Sequence, residues 1–326
     1  MAINGSLQSS FLDQVRNRLP DNISFADELA EILNISRDSA YRRLRGETVL
    51  SLDEVKKLHD KFGISLDVLL SNSSQMVTFH RRVVDHANYT LEKWLTSVFK
   101  NLDFLSGFDD HEMIFSAKDI PVFHYFRLPL LSSFKLFFWM KTLFNYPSYE
   151  HQGFSSSAVP NELIGLANRV WSKYSSLHTI EIWNEEVVFD TLKQIEFYYE
   201  CRLFQSQNDA PALCDQLIQL LELVKEEAFT GKKSEGGKFG MFNNEILIAD
   251  NTVFARMDTK RSVYVTQNAL NLLLTFQEPF CEQTELYLQN LIKKSVQISV
   301  TGERERNRFF NSMKDRISVF KTRFSS

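Results

Sequence analysis

The sequence predicts a mainly α-helical fold with a smaller α+β component. At the amino end, apolar residues at helical spacing lie between capping residues and helix-ending residues, which predicts five short helices. The rest of the chain shows longer helical patterns and a group of strand-like runs, which predicts a larger helical domain containing a short antiparallel sheet. We therefore expect two domains, residues 1–72 and residues 73–326, with a polar junction at Ser71-Asn72-Ser73-Ser74.

Short polar signals mark where the first helices begin and end. A serine hydroxyl can accept a hydrogen bond from a free backbone amide at a helix start. Serines suited to this role are Ser24, Ser36, Ser51 and Ser65. Glu54 completes a capping box with Ser51. Residues that interrupt a helix follow the apolar runs at Pro20, Asn34, Gly46 and Gly63. Asn34 is suited to a left-handed turn, because asparagine enters that conformation at low cost.

The helix from Ser36 to Arg45 carries four arginines. At about 100° per residue, Ala40, Tyr41 and Leu44 share one side, which we expect to face the core. The opposite side holds Asp38, Ser39, Arg42 and Arg45, with Arg37 at the N-terminal end.

The chemistry of these side chains suits double-stranded DNA. Arginine can donate two hydrogen bonds to a guanine edge, which discriminates by about 1–3 kcal/mol. Arg37, Ser39 and Arg42 are therefore the candidate base readers, while Asp38 could accept from cytosine or stabilise the helix start. Arg43 and Arg45 are the candidates for phosphate contacts. The alternative for all these charges is an ordinary solvated helix face.

The amino-terminal pattern resembles the Cro/repressor-type (XRE family) helix-turn-helix domain of prokaryotic transcription regulators. The resemblance rests on Leu29-Ala30, the turn Asn34-Ile35-Ser36, Gly46 and the closing segment 64–70. It implies a five-helix, lambda-repressor-like domain whose recognition helix, Ser36 to Arg45, lies in the DNA major groove. Ser36 then belongs with Arg37, Asp38, Ser39, Arg42, Arg43 and Arg45 in the DNA-binding set.

Two positions depart from the family pattern. Ala26 stands where many members carry a glutamine that grips the phosphate backbone. Arg43 stands where a buried apolar residue is usual, and the neighbouring Leu44 is apolar instead. The shift of the apolar position from Arg43 to Leu44 predicts a recognition helix that is slightly rotated about its axis relative to the family pattern.

Net charge does not favour nucleic acid. Residues 1–72 hold nine lysines and arginines against eleven aspartates and glutamates, and the whole chain carries a formal charge of −4. Attraction to DNA must therefore come from the local cluster of arginines. A homodimer, which sets two recognition helices about 34 Å apart, would offset weak binding by one copy.

Residues 73–326 are expected to dimerise the protein and to sense a small-molecule or protein effector. We expect a connector helix over residues 75–105, a flexible loop from Gly231 to Gly240, and a helix from Ala269 to Phe276. Three candidate strands of a meander run from Glu245 to Ile248, Thr252 to Met257 and Ser262 to Thr266. The sequence alone does not identify the family of this domain.

An aromatic-rich stretch could form either an apolar ligand pocket or ordinary core. Its candidate pocket residues are Phe123, Tyr125, Phe126, Phe134, Phe138 and Trp139.

Several patterns argue against other classes. Three cysteines without metal spacing fit a reducing cytoplasm, and the amino end lacks a signal-peptide pattern. The most apolar stretch, residues 120–144, carries His124, Arg127, Lys135 and Lys141, so we expect it in a protein core and not in a membrane. We expect no metal, no cofactor and no enzymatic activity. The rival interpretation is an enzyme or a protein-interaction module that carries a helix-turn-helix targeting head.

Overall fold

The computed structural model describes residues 7–19, 23–64, 76–245 and 250–324. Its internal contacts divide the chain into two compact units, Met1–Thr78 and Phe79–Ser326. Each unit has its own hydrophobic core.

Four α-helices form the described part of the first unit: α1 (Leu7–Arg16), α2 (Phe25–Leu33), α3 (Arg37–Leu44) and α4 (Leu52–Phe62). The fifth predicted helix falls largely on residues 65–70, which lie outside the described residues. The core side chains come from every one of the four helices, and they include Phe11, Val15, Leu29, Leu33, Ala40 and Leu58.

The predicted caps of this unit are confirmed at two helices. The hydroxyl of Ser36 accepts from the amide of Ser39, and Ser51 forms the complete capping box with Glu54. Ser24 occupies the N-cap position of α2, but within the described structure its side chain makes no capping hydrogen bond.

An eight-stranded mixed sheet forms the centre of the second unit. Its strands are β1 (His80–Arg81), β2 (His111–Ser116), β3 (Thr179–Trp183), β4 (Phe239–Asn243), β5 (Thr252–Met257), β6 (Lys260–Asn268), β7 (Asn271–Thr275) and β8 (Val296–Gln297). The order across the sheet is β1-β7-β6-β5-β2-β3-β4-β8. The central strands β2, β3 and β4 run parallel, with Met113 opposite Thr179 and Thr179 opposite Phe239, while all other pairs are antiparallel.

Eight α-helices are described in the second unit. They are α5 (Leu91–Ser106), α6 (Val122–Tyr125), α7 (Pro129–Phe138), α8 (Asn161–Ser176), α9 (Phe189–Glu200), α10 (Asp209–Thr230), α11 (Glu278–Lys293) and α12 (Glu303–Lys321). Of these, α6 to α10 connect the parallel strands. A π-helical turn, Trp139–Leu143, extends α7, and 3-10 turns lie at Pro147–Tyr149 and Thr322–Phe324.

The two faces of the sheet pack against different helices, because side chains alternate along a strand. Met113 and Phe115 join the large core with α5 to α10 and α12. Ile114 and Ile182 lie in a smaller core with Cys281, Leu288 and Leu291 of α11.

This architecture corrects the predicted fold class. The prediction of a mainly α-helical protein with a short antiparallel sheet was wrong, because the second unit is an α/β fold built on a mixed eight-stranded sheet. The predicted flexible loop, Gly231 to Gly240, ends inside a strand, because Phe239–Asn243 form β4, and the predicted helix over Ala269 to Phe276 is instead the region of β7. The strand β4 pairs with β3 and β8, which are distant in sequence, and β7 pairs with the preceding β6 and with the distant β1. Local periodicity does not report such pairing.

The predicted connector helix also begins later than expected. Residues 76–79 have no helical structure, and His80–Arg81 pair with β7. The carboxylate of Asp85 accepts from the amides of Ala87, Asn88 and Tyr89, which forms a turn immediately before the helix. Thr90 then caps α5, which starts at Leu91. The predicted strand Glu245 to Ile248 falls mostly outside the described residues.

Candidate nucleic-acid interface

The turn between α2 and α3 is formed by one left-handed residue. Asn34 has φ 57° and ψ 52°, as its position after the apolar run predicts. The amide of Asn34 donates to the carbonyl of Glu31, and the amide of Ile35 donates to the carbonyl of Ala30 at 3.0 Å. These bonds satisfy carbonyls at the end of α2 and fix where α3 begins.

The amino end of α3 is held by its two serines. The amide of Ser39 donates to the hydroxyl of Ser36 at 3.2 Å, and the two hydroxyl oxygens lie 2.9 Å apart. Both predicted contact serines therefore make hydrogen bonds within the helix start, and Ser39 is half-buried.

The buried side of α3 differs from the predicted one. Ala40 is fully buried, and Arg43 and Leu44 are half-buried beside it. Tyr41, expected to face the core, is 40% exposed, and the Arg37 guanidinium lies 5.9 Å from the centre of its ring. Tyr41 therefore belongs to the outward surface, which the helical projection missed.

Arg43 is tied into the unit by Glu54 of α4. Its Nη2 and Nε donate to the two carboxylate oxygens of Glu54 at 2.7 and 3.2 Å, and its Nη1 donates to the carbonyl of Ser39 at 3.2 Å. Burial alone would raise the pKa of Glu54, but the hydrogen bonds from Arg43 and from the Ser51 amide lower it. We therefore place Arg43 in the framework of the unit and not among the phosphate contacts.

The turn after α3 is braced by a residue that sequence reasoning missed. Gln8 of α1 donates through Nε2 to the carbonyls of Arg43 and Thr48, at 2.9 and 2.8 Å. Its Oε1 accepts from the amide of Leu50 at 2.8 Å. Gln8 lies some forty residues away along the chain, so no local pattern could indicate this role.

The outward surface of α3 and its C-cap residue consists of Arg37, Asp38, Tyr41, Arg42 and Arg45, all exposed. Each of the three arginines has a carboxylate partner. The closest atoms are Arg37 Nε and Asp27 Oδ1 at 2.8 Å, Arg42 Nε and Asp38 Oδ2 at 3.3 Å, and Arg45 Nε and Glu47 Oε1 at 2.6 Å.

These outward ion pairs are open to exchange. Each of the three arginine side chains is more than half exposed. Ion pairs of this kind contribute only about 0–1 kcal/mol, so another anion can replace the carboxylate at little cost. The hydrogen bond with Glu47 raises the pKa of Arg45, and the same bond lowers the pKa of Glu47.

A short helix with outward arginines, set by a left-handed turn behind a packed helix, defines the first unit as a helix-turn-helix of the DNA-binding class. Residues 9–85, about a quarter of the 326-residue chain, match the family model of the BetR domain. That domain is a helix-turn-helix-like DNA-binding domain found in regulators. No curated protein and no solved structure matches the chain significantly.

The residues predicted to line a ligand pocket are packed side chains in the core of the second unit. Phe123, Tyr125, Phe126, Phe134, Phe138 and Trp139 are each at most 8% exposed. The ring of Phe123 stacks on Tyr174 with centroids 4.1 Å apart, and Phe134 contacts Tyr198 edge-on at 5.2 Å.

A buried polar network lies beside this aromatic core. Glu181 of β3 accepts from His124 Nε2 at 2.9 Å and from Trp183 Nε1 at 2.8 Å, and the Tyr174 hydroxyl donates to it as well. Burial would raise the pKa of Glu181, but attraction to His124 and the hydrogen bonds from His124 and Tyr174 lower it. With its oxygens engaged in this way, Glu181 orders the core and is poorly placed to act as a base.

Lys233 is the second charged group of the network. Its Nζ donates to Thr179 Oγ1 at 2.7 Å and lies 4.0 Å from the centre of the Tyr174 ring. Burial lowers the pKa of Lys233 to about 7. The sequence indicated this region only as a flexible loop, and nothing local marks a buried lysine there.

A cavity of about 430 Å³ opens at the carboxyl ends of the parallel strands β3 and β4. Its lining is mainly polar, and it includes Asn184, Glu185, Asn243, Asn244, Arg308 and Arg316.

In the described part of the chain, no helix is long and apolar enough to cross a membrane.

Proposed function

We propose that the chain is a DNA-binding transcription regulator of the Cro/repressor (XRE) type. In this proposal α3 enters the major groove of double-stranded DNA, Arg37 and Arg42 read bases, and Arg45 contacts phosphate. Tyr41 joins the contact surface, and Arg43 is removed from it. The observation that carries the proposal is the row of exposed arginines on α3, behind the Asn34 turn, within a segment that matches a DNA-binding family.

We assign regulation to the second unit. Its roles in this proposal are to dimerise the protein and to receive a small-molecule or protein effector. The cavity at the ends of β3 and β4 is the place we assign to a small molecule, because open α/β sheets bind ligands beyond the carboxyl ends of their strands. We propose a cytoplasmic regulator and not an enzyme, since in the buried acid–histidine pair of Glu181 and His124 both carboxylate oxygens already accept hydrogen bonds from core side chains.

Selection of bound duplexes from a random pool tests the proposal and supplies an operator. Arg42→Ala should then weaken operator binding by about 1–3 kcal/mol, since it removes one base contact. Lys56→Ala is the matched control, because it removes the same charge from an exposed side chain of α4. Far-ultraviolet circular dichroism should be unchanged in both variants.

Two results would contradict the proposal. One is the failure of any sequence to be enriched from the pool. The other is equal operator affinity of Arg42→Ala and the unmodified chain, which would remove Arg42 from base reading.

A further inference from the structure

The carboxylates beside the outward arginines come from three different places in the first unit. Asp27 lies in α2, Asp38 lies one turn before Arg42 in α3, and Glu47 follows the end of α3. Their convergence on one helix surface means that each arginine aimed at DNA already has an anion beside it.

We propose that Asp27 and Asp38 are specificity-determining residues that suppress binding to arbitrary DNA while permitting base reading, and that Glu47 weakens the phosphate contact of Arg45 on any duplex. The inference rests on the proposed function, because it concerns the same surface of α3. It goes further by giving the acids a role in discrimination between one DNA sequence and another.

Binding to arbitrary DNA depends on phosphates. A protein gains affinity when its cations replace counterions that surround the duplex, and each phosphate neutralised adds about 0.9 to the salt slope of log K. When an arginine is already paired with a carboxylate of the protein, a contact with DNA only replaces that carboxylate by a phosphate. The displaced carboxylate also remains as a negative charge close to the DNA backbone. The three acids should therefore weaken phosphate contacts by the outward arginines.

Base reading uses a different edge of the arginine. In all three pairs the closest approach of the carboxylate is to Nε. A guanine can take two N–H groups from the terminal nitrogens of the guanidinium. For Arg37 and Arg42 the acid can thus stay in place while the terminal edge meets a base, and it holds the long side chain in a fixed orientation.

Arg45 is paired more completely. Glu47 also accepts from Arg45 Nη2 at 3.1 Å, so both oxygens of this acid are engaged. Of the three pairs, this one should act most strongly against a phosphate contact.

The test uses the full chain with Asp27→Asn, Asp38→Asn and Glu47→Gln, singly and together. The probes are the selected operator and a scrambled duplex of equal length and composition. Each exchange should raise affinity for the scrambled duplex by up to about fivefold, the range expected for an exposed ion pair. With Asp27→Asn and Asp38→Asn, operator affinity should rise less, so that the ratio between the two duplexes falls, whereas Glu47→Gln should raise both affinities alike. The salt slope on scrambled DNA should steepen in each case.

Glu28→Gln provides the matched control. Glu28 lies in α2 and pairs with Lys61 at 2.6 Å, so its exchange alters net charge without freeing an arginine of α3. Asp38 stabilises the first turn of α3, so Asp38→Asn could also weaken folding. Glu47 lies outside that turn, and Glu47→Gln therefore tests the effect on DNA affinity without this loss of stability.

The outcomes are distinct. An equal gain from Glu28→Gln would show that net charge alone matters, and it would overturn the inference. An equal gain on operator and scrambled duplex from Asp27→Asn or from Asp38→Asn would overturn it as well. If the unmodified chain bound no duplex, the proposed function itself would fail, and the inference with it.

Discussion

Arg42 and Arg43 are neighbours in sequence but have opposite environments. The Arg42 side chain is 59% exposed and pairs with Asp38, whereas the Arg43 side chain is 15% exposed and is held by two bonds to Glu54. The outward residue is therefore available to a partner molecule, and the inward one joins α3 to α4.

Substitution separates these two roles. Arg43→Ala should destabilise the first unit by about 1–3 kcal/mol, because it removes charge-assisted hydrogen bonds and leaves the Glu54 carboxylate, 14% exposed, without its cationic partner. Arg42→Ala should change stability by less than about 0.5 kcal/mol, as is usual for an exposed site. Hydrogen exchange of peptides from α3 and α4 in the full chain measures both effects. Equal protection in the two variants would contradict the buried role of Arg43.

Lys233 leads to a pH-dependent prediction in the second unit. Its pKa is about 7 in the folded chain, below its ordinary value of 10.5, because burial disfavours the charged form. Between these two values the unfolded chain binds a proton that the folded chain does not. The contribution of Lys233 to stability therefore rises with pH across that window, by up to about 1.4 kcal/mol per pH unit, and is constant below it.

Lys233→Met removes this dependence. Near pH 7 the free energy of unfolding of the variant should exceed that of the unmodified chain by the largest amount, and this difference should shrink towards pH 10. All four tryptophans, Trp94, Trp139, Trp171 and Trp183, lie in the second unit, so urea unfolding followed by tryptophan fluorescence reports on this unit. Lys232→Met, at the exposed neighbouring position, is the control. A stability difference that is independent of pH would refute the assignment.

At the scale of elements, the turn between α2 and α3 depends on one backbone conformation. Asn34 adopts positive φ, which glycine tolerates and a β-branched residue does not. Asn34→Gly should therefore change the stability of the first unit by only a few tenths of a kcal/mol. Asn34→Val should destabilise it by about 1–2 kcal/mol.

The same two variants test the link between the turn and DNA binding. Hydrogen exchange in α2 and α3 gives the stability change, and titration of the operator gives the affinity. Asn34→Val should lose affinity as α3 loses its fixed start, and Asn34→Gly should retain it. Retention of full protection by the valine variant would be inconsistent with the observed turn.

The sheet shows where element prediction from local pattern fails. Residues 271–275, Asn-Leu-Leu-Leu-Thr, favour a helix by composition, yet they form β7 between β6 and β1. Similarly, β4 occupies part of a glycine-containing stretch predicted as loop, because β3 and β8 supply its hydrogen-bond partners. Pairing with a neighbouring strand outweighs local propensity at both places.

At the scale of the whole molecule, the charge balance bears on how binding is achieved. Residues 1–72 are slightly acidic, with nine basic against eleven acidic side chains. One copy of such a unit should bind DNA weakly, because the outward arginines are already compensated. Two copies acting together would multiply their affinities.

We therefore predict a two-fold symmetric operator. The selected sites should contain inverted half-sites whose centres lie about 34 Å, one helical turn, apart. Sedimentation of the free protein should give twice the chain mass at the concentrations used for binding. A single asymmetric half-site bound by a monomer would contradict this arrangement.

The sequence by itself determined the local features of the first unit. The Ser36 cap, the Ser51–Glu54 capping box, the Asn34 turn and the arginines of α3 were all predictable, because each depends on residues within about four positions. Only the tertiary structure decided which arginines face outward and which one is packed inside the unit. Arg43 turns inward because Glu54 lies on a neighbouring helix, and Gln8 reaches the turn after α3 from α1. The α/β fold of the second unit was decided in the same way, since β2, β3 and β4 pair across dozens of intervening residues and no local pattern specifies which strands become neighbours.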